Sequence, residues 1–254
     1  MCKQWRDCLP PPPQGFLFSF VLTVAAQGSI SLLQWAKEEM IPSYAWDGRS
    51  CCEAAIKKGH LELLKWLKDE DGWIHPYSLE CAAERGHFEV VKWLRENGCT
   101  WSTWTCACAA KGGHLEVLKW MRERGCPWEE ATCSLAAEKG HLEILMWAKE
   151  NGCPLDDLTS AEAAGGGHLK VLKWLKKAAC PFTPRTCSFA AREGHLKVLK
   201  WLRKTGGCPW DSQTCSKVAL GGHFELLKWA KEHGCELMKS DILFNSADGK
   251  HTGN

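Results

Sequence analysis

Histidine and cysteine alternate along this 254-residue chain in a fixed rhythm, and these are the side chains that bind transition metals, move protons or run thiol chemistry. His60, His87, His114, His141, His168, His195 and His223 each follow a glycine. Cys52, Cys106, Cys133, Cys187 and Cys215 lie eight residues before such a histidine, and Cys99, Cys126, Cys153, Cys180 and Cys235 lie twelve after one. Zinc sites use close ligand pairs, whereas the nearest recurring pair here is C-x6-C, as in Cys99 and Cys106. The pattern therefore points to packed, reduced thiols and to histidines that hydrogen-bond the backbone at a turn. No G-x-S-x-G, no phosphate-binding loop ending in Lys-Ser/Thr and no H-E-x-x-H occurs, so the sequence offers no catalytic centre and calls for no metal or cofactor.

Two further constellations could carry binding. Trp35, Trp66, Trp93, Trp120, Trp147, Trp174, Trp201 and Trp229 form a ladder that could stack bases, although its invariant spacing suits packing better. Charge supplies the one non-uniform feature. The chain carries a net +2, yet residues 165–204 hold ten basic residues against the single acid Glu193, a local +9 that leaves −7 for the rest. Lys170, Lys173, Lys176, Lys177, Lys197, Lys200, Arg203 and Lys204 fall on two successive segments and are the candidate binding residues for an acidic partner. Lys170 and Lys197 stand where the other copies have Glu62, Glu89, Glu116, Glu143 and Glu225.

The elements that must position these residues follow from the repeat itself. From Gly59 to Gly194 five consecutive spacings are 27 residues, the next, to Gly222, is 28 with Gly206 as the insertion, and Gly28 precedes Gly59 by 31. A fixed period of this size means stacked supersecondary units. Each unit reads as two helices. The first runs as in Thr103 to Gly112 after the N-cap Ser102, with Asp156, Thr183 and Asp211 capping elsewhere and paired alanines such as Ala136-Ala137 allowing close approach. Glycine ends it in a left-handed turn, and the second helix starts at the histidine, with Leu115, Val117, Leu118, Trp120 and Met121 covering a broad apolar arc that fits a helix between two neighbours.

The flanks are plainer. Residues 1–14, with Pro10 to Pro13, read as a disordered proline-rich lead-in, residues 15–248 as the array and residues 249–254 as a tail. Phe16 to Ala26 is too short to span a membrane, and its Val24-Ala25 pair matches Val218-Ala219, so it reads as a first helix rather than a signal core. Asp241 to Ala247 resembles the start of a ninth unit, either a capping half-unit or the edge of a longer array.

The pattern A-A-x-x-G-H-F-E-V-V-K-W-L-x-x-x-G at Ala82 to Gly98, repeated at Ala136, Ala137, Gly140, His141 and Gly152, resembles the ankyrin repeat. Ala131-Thr132-Cys133-Ser134 stands where ankyrin units have T-P-L-H, and the unit is short by about six residues, those of the projecting hairpin. The resemblance implies an all-α, ankyrin-like helical-repeat solenoid of about eight helix pairs. It also implies a non-catalytic protein–protein interaction scaffold or adaptor; a monomer without membrane contact is expected, and the packed, reduced thiols place it in the cytoplasm or nucleus. The alternative is a polyanion binder, for nucleic acid or acidic protein, working through the basic segment. Ser102-Thr103-Trp104, Glu129-Glu130 and Thr183-Pro184-Arg185 vary between units and are the other candidate contacts.

Overall fold

The computed structural model describes residues 14–41, 46–71, 77–206 and 212–234. The lead-in Pro10 to Pro13, the Asp211 cap, Cys235, Asp241 to Ala247 and the tail lie outside them. Among the described residues there are only helices, arranged in pairs: α1 Gln14–Gln27 with α2 Ile30–Trp35, α3 Gly48–Lys58 with α4 Leu61–Asp71, and α5 Ser78–Arg85 with α6 Phe88–Glu96. There follow α7 Thr103–Gly112 with α8 Leu115–Glu123, α9 Glu130–Glu138 with α10 Leu142–Glu150, α11 Asp157–Gly165 with α12 Leu169–Lys177, α13 Pro184–Arg192 with α14 Leu196–Trp201, and α15 Ser212–Leu220 with α16 Phe224–Glu232. The all-α, ankyrin-like architecture read from the period is what the described residues adopt, in eight helix pairs.

The first helix of a pair starts where a side chain satisfies its orphan amides. Asp156 Oδ1 accepts from the Thr159 backbone N–H at 2.8 Å and from the Thr159 hydroxyl at 2.8 Å, while the Thr159 hydroxyl accepts in turn from the Asp156 N–H at 3.4 Å. Ser102 with Thr105 and Thr183 with Thr186 form the same reciprocal box. The threonines at this place, Thr105, Thr132, Thr159, Thr186 and Thr214, are fully buried, so the cap also sets how deep the helix sits.

The alanines then decide the packing. Ala109, Ala110, Ala136, Ala137, Ala163, Ala164, Ala190 and Ala191 have no exposed surface, and their small size lets first helices lie against one another. First helices accordingly pack on first helices, α1 on α3 and α3 on α5 in one body, Met1–Thr100, and α7, α9, α11, α13 and α15 in succession in the other, Trp101–Asn254. Each second helix packs on its own first helix through buried residues such as Leu118, Leu145, Leu172 and Leu199. Burying each such leucine contributes about 2 kcal/mol before conformational entropy is subtracted.

The turn between the two helices joins one repeat to the next. Gly140 (φ 78°) closes α9, with the Gly140 N–H donating to the Ala137 carbonyl at 3.1 Å and the His141 N–H to Ala136 at 2.9 Å. His141 is not the first helical residue, as its sequence position suggests, but the N-cap of α10, its carbonyl accepting from Leu145 N–H at 3.2 Å. The following repeat's His168 lays its ring on Gly140, and its Nε2 donates to the Glu138 carbonyl at 2.8 Å. His60 on Ala26, His87 on Lys57, His141 on Lys111, His195 on Gly165 and His223 on Arg192 repeat the bond at 2.8–3.1 Å. The expected backbone role of the histidines is present, directed to the preceding repeat rather than within its own turn.

Irregularities in the period appear as local adjustments. The extra residue between Gly194 and Gly222 is absorbed where α14 runs into a π-helical turn, Leu202–Gly206, and α2 likewise runs into Ala36–Met40. Ala179 (φ 57°) occupies the left-handed position that Gly125 and Gly152 fill in the neighbouring repeats. An alanine there costs about 1 kcal/mol relative to glycine. Ala179→Gly should therefore raise the urea midpoint by the equivalent of about 1 kcal/mol. Gly140→Ala should lower it by more, because the added Cβ would stand 2.6 Å from the His168 ring as well as in a strained backbone. Equal midpoints for wild type and Gly140→Ala would show that the histidine contact carries no stability.

Candidate functional site

The second helices carry the charges that vary between repeats. In three of them a glutamate two residues after the histidine pairs with the lysine three residues further on: Glu62 with Lys65 at 2.7 Å, Glu89 with Lys92 at 2.8 Å and Glu116 with Lys119 at 2.9 Å. Each such exposed pair contributes only about 0.3–0.5 kcal/mol. In α12 and α14 the acid is replaced by Lys170 and Lys197, which adds two cations and leaves Lys173 and Lys200 without their acid. Among the described residues none of Lys170, Lys173, Lys177, Lys197, Lys200 and Lys204 forms an ion pair, and all six are exposed.

The structure places six of the eight predicted cations on the successive second helices α12 and α14 and the other two, Arg203 and Lys204, in the π-helical turn that continues α14; Lys176 reaches across, its Nζ 5.9 Å from the centre of the Trp201 ring. Lys200 Nζ lies 6.0 Å from the Trp229 ring, a weaker engagement of the same kind, and Arg203 has interactions of its own. The other two basic residues of the segment sit on α13 and are paired, Arg185 with Asp157 at 3.7 Å and Arg192 with Glu193 at 2.7 Å. The single acid of the segment is thus spent away from the lysines.

The tryptophan ladder belongs to the packing. Trp66, Trp93, Trp120, Trp147, Trp174, Trp201 and Trp229 are half-buried, while Trp35 is the exposed exception at 43%. An aromatic residue about 19 positions earlier stands edge-on to the ladder ring: Trp101 to Trp120 at 6.1 Å, Trp128 to Trp147 at 5.6 Å and Phe182 to Trp201 at 6.3 Å. A cation two residues after the preceding ladder tryptophan covers the pair, as Arg122 does over Trp128 at 4.1 Å and Lys37 over Trp46 at 5.0 Å. Sequence reasoning missed this cation, although Lys37, Lys68, Arg95, Arg122, Lys149, Lys176, Arg203 and Lys231 repeat it in every unit.

The first helices present a mixed surface. Ser102 and Thr183 are committed to their caps, and Thr183 also donates to Asp157 Oδ2 at 3.3 Å, so of the other candidates Trp104, at 57% exposure, and the exposed Glu129 and Glu130 remain accessible. Phe189 lies over Gly165 between Arg185 and Arg192. Burial and the neighbouring Glu138 raise the Glu162 carboxyl above its ordinary range, and Arg192 and Arg185 partly offset them. A depression of about 320 Å3 lies over Gly113, Gly140 and His141, whose ring already serves Lys111.

Eleven cysteines among the described residues are free thiols. Cys153 donates to the Glu129 carbonyl at 3.5 Å and Cys180 to the Asp156 carbonyl at 3.1 Å, tying the loop after a second helix to the start of the first. A hydrogen bond that the Cys106 thiol donates to Cys126, and then burial, raise Cys106, and a bond to Cys153 does the same for Cys133. Burial, then the Asp156 carboxylate, push Cys180 up to about 12. Cys215 corrects the expectation of uniformly reduced thiols, because it is disulfide-bonded. Among the described residues no group of three or more His, Cys, Asp or Glu is placed to hold a metal ion. None of the described helices is long and apolar enough to cross a membrane.

The model of ankyrin repeats in many copies matches residues 79–122, and the ankyrin resemblance rests on that match as well as on the helix pairs. Ankyrin repeats are in general protein–protein interaction modules. No curated protein matches the chain.

Neutral, buried thiols react slowly with alkylating agents. Iodoacetamide at pH 8 should accordingly leave Cys106, Cys133 and Cys180 unmodified in the native protein and label all three in denaturant. Native labelling of Cys180 at the rate of a free thiol would show that the loop does not hold it.

Proposed function

We propose that this chain is a non-catalytic protein-interaction scaffold, monomeric, whose partner docks on the lysine face of α12 and α14. The observation that carries this reading is the reversal of sign at Lys170 and Lys197. Packing does not require it, since the same position holds an ion-paired glutamate in repeats that bury apolar residues at the same positions. Six exposed lysines without a carboxylate raise the local potential and favour an acidic partner. Six of the repeat histidines, and Cys106, Cys126, Cys153 and Cys180, which could have supported catalysis, are spent on backbone carbonyls between and within repeats. The free thiols favour a reducing compartment, cytoplasm or nucleus, and the Cys215 bond is the feature that weighs against it.

The quadruple variant Lys170→Glu, Lys173→Glu, Lys197→Glu, Lys200→Glu tests this reading. In affinity capture with the full chain, the wild type should retain an acidic partner that the variant loses, and retention should weaken as salt rises. Identical capture by both proteins would move the binding surface to the first helices, around Trp104 and Phe189.

A further inference from the structure

The arrangement of the lysines narrows the chemistry of the partner. Lys170, Lys173 and Lys177 follow the spacing i, i+3, i+7, as do Lys197, Lys200 and Lys204. On α12 this spacing confines Lys170, Lys173 and Lys177 to an arc of about 60° and spreads them over about 10 Å of axis, while on α14 Lys197 and Lys200 share a face and Lys204 lies in the π-helical turn that follows. The α12 row of three lysines and the α14 pair Lys197 and Lys200 thus occupy the same register on successive second helices. Lys176 reaches from α12 to the Trp201 ring of α14 and links the two helices.

Three features separate the classes of polyanion that could lie there. All six cations are lysines, point charges without the planar fork with which arginine grips phosphate in two bonds. Single-stranded nucleic acid binds on aromatic platforms, and Trp201 is instead held between the Phe182 edge and Lys176. Beside the rows, Met146 occupies on α10 the position that Lys173 and Lys200 hold on their helices, and it is 41% exposed. An exposed methionine at that register gives the lysine face an apolar border, which suits a protein side chain and is wasted on a sugar-phosphate backbone.

We infer that the lysine face receives an acidic amphipathic α-helix of a partner protein, whose carboxylates recur at i, i+3 and i+7 in register with the lysine row of α12, beside the Lys197 and Lys200 pair of α14, and whose apolar edge rests on Met146. The inference rests on the lysine face being the docking surface and adds the shape and register of what docks there. The axial step of about 5 Å between successive lysines is the step of carboxylates on one face of a helix. An extended acidic chain steps about 6.6 Å between same-side residues and falls out of register within two contacts.

The full chain is titrated with three labelled probes and followed by fluorescence anisotropy: a synthetic helical peptide with glutamates at i, i+3 and i+7 and a leucine on the adjoining edge, a peptide of the same composition with the glutamates scattered around the helix, and a short DNA duplex. The register-matched peptide should bind at least about ten-fold tighter than the scattered one, equivalent to two or three exposed ion pairs in register. Met146→Ala should weaken it by about two- to five-fold, and Met146→Leu should restore it. Equal binding of the two peptides, or tighter binding of the duplex, lost in both cases by the quadruple lysine variant, would overturn the helical partner while leaving the lysine face as the docking surface. Binding of every probe unchanged in that variant, or no binding by the wild type, would overturn both.

Discussion

The seat of a histidine ring on the left-handed glycine of the preceding repeat is the constraint on which the two stacks depend. At Gly140 the ring of His168 fills the space a Cβ would take, and its Nε2 satisfies the Glu138 carbonyl at the end of α9. A helix end needs a donor for such a carbonyl, and here the donor comes from the next repeat. The turn cannot be completed by one repeat alone, which makes the contact a junction as well as a cap. Its recurrence explains why Gly and His stay together while the residues around them drift.

With the junction made by histidine, the alanine pairs and the buried threonines, the second helices are relieved of most inter-repeat duty. Their inner faces hold leucines on the first helices, and their outer faces are free to differ. The tryptophan ladder is the intermediate layer, half-buried, braced edge-on by a loop aromatic and covered by a cation from the preceding repeat. The lysine face of α12 and α14 therefore departs from the pattern without disturbing what holds the repeats together. Ala179, in the one left-handed position among the described residues not filled by glycine, sits in the same repeat as Lys170.

Much of this was legible before the structure. The 27-residue period, the paired alanines and the caps Ser102, Asp156 and Thr183 placed the helices almost to the residue, because each signal acts within a few positions along the chain. The candidate lysines were legible for the same reason, since helical periodicity alone puts Lys170, Lys173 and Lys177 on one face. Less visible were contacts that join residues of successive repeats, such as His168 with Glu138 or Lys176 with Trp201, which depend on how repeats stack. The cation two places after each ladder tryptophan was present as a period, yet its meaning required the neighbouring ring. The disulfide at Cys215 had no distinguishing signal, because that cysteine occupies the same repeat position as the free thiols Cys106, Cys133 and Cys187.

The central claim is that the surface charge of α12 and α14 is separable from the forces that stack the repeats. Equilibrium urea unfolding of His168→Ala beside the quadruple lysine-to-glutamate variant, under identical salt, tests it most directly. The account predicts that the histidine variant loses about 1–3 kcal/mol through an unsatisfied carbonyl and a void at Gly140, while the charge variant keeps or slightly raises the wild-type midpoint as like-charge repulsion is relieved. A charge variant that unfolds as early as His168→Ala would contradict it, because the lysines would then be part of what holds the stack together.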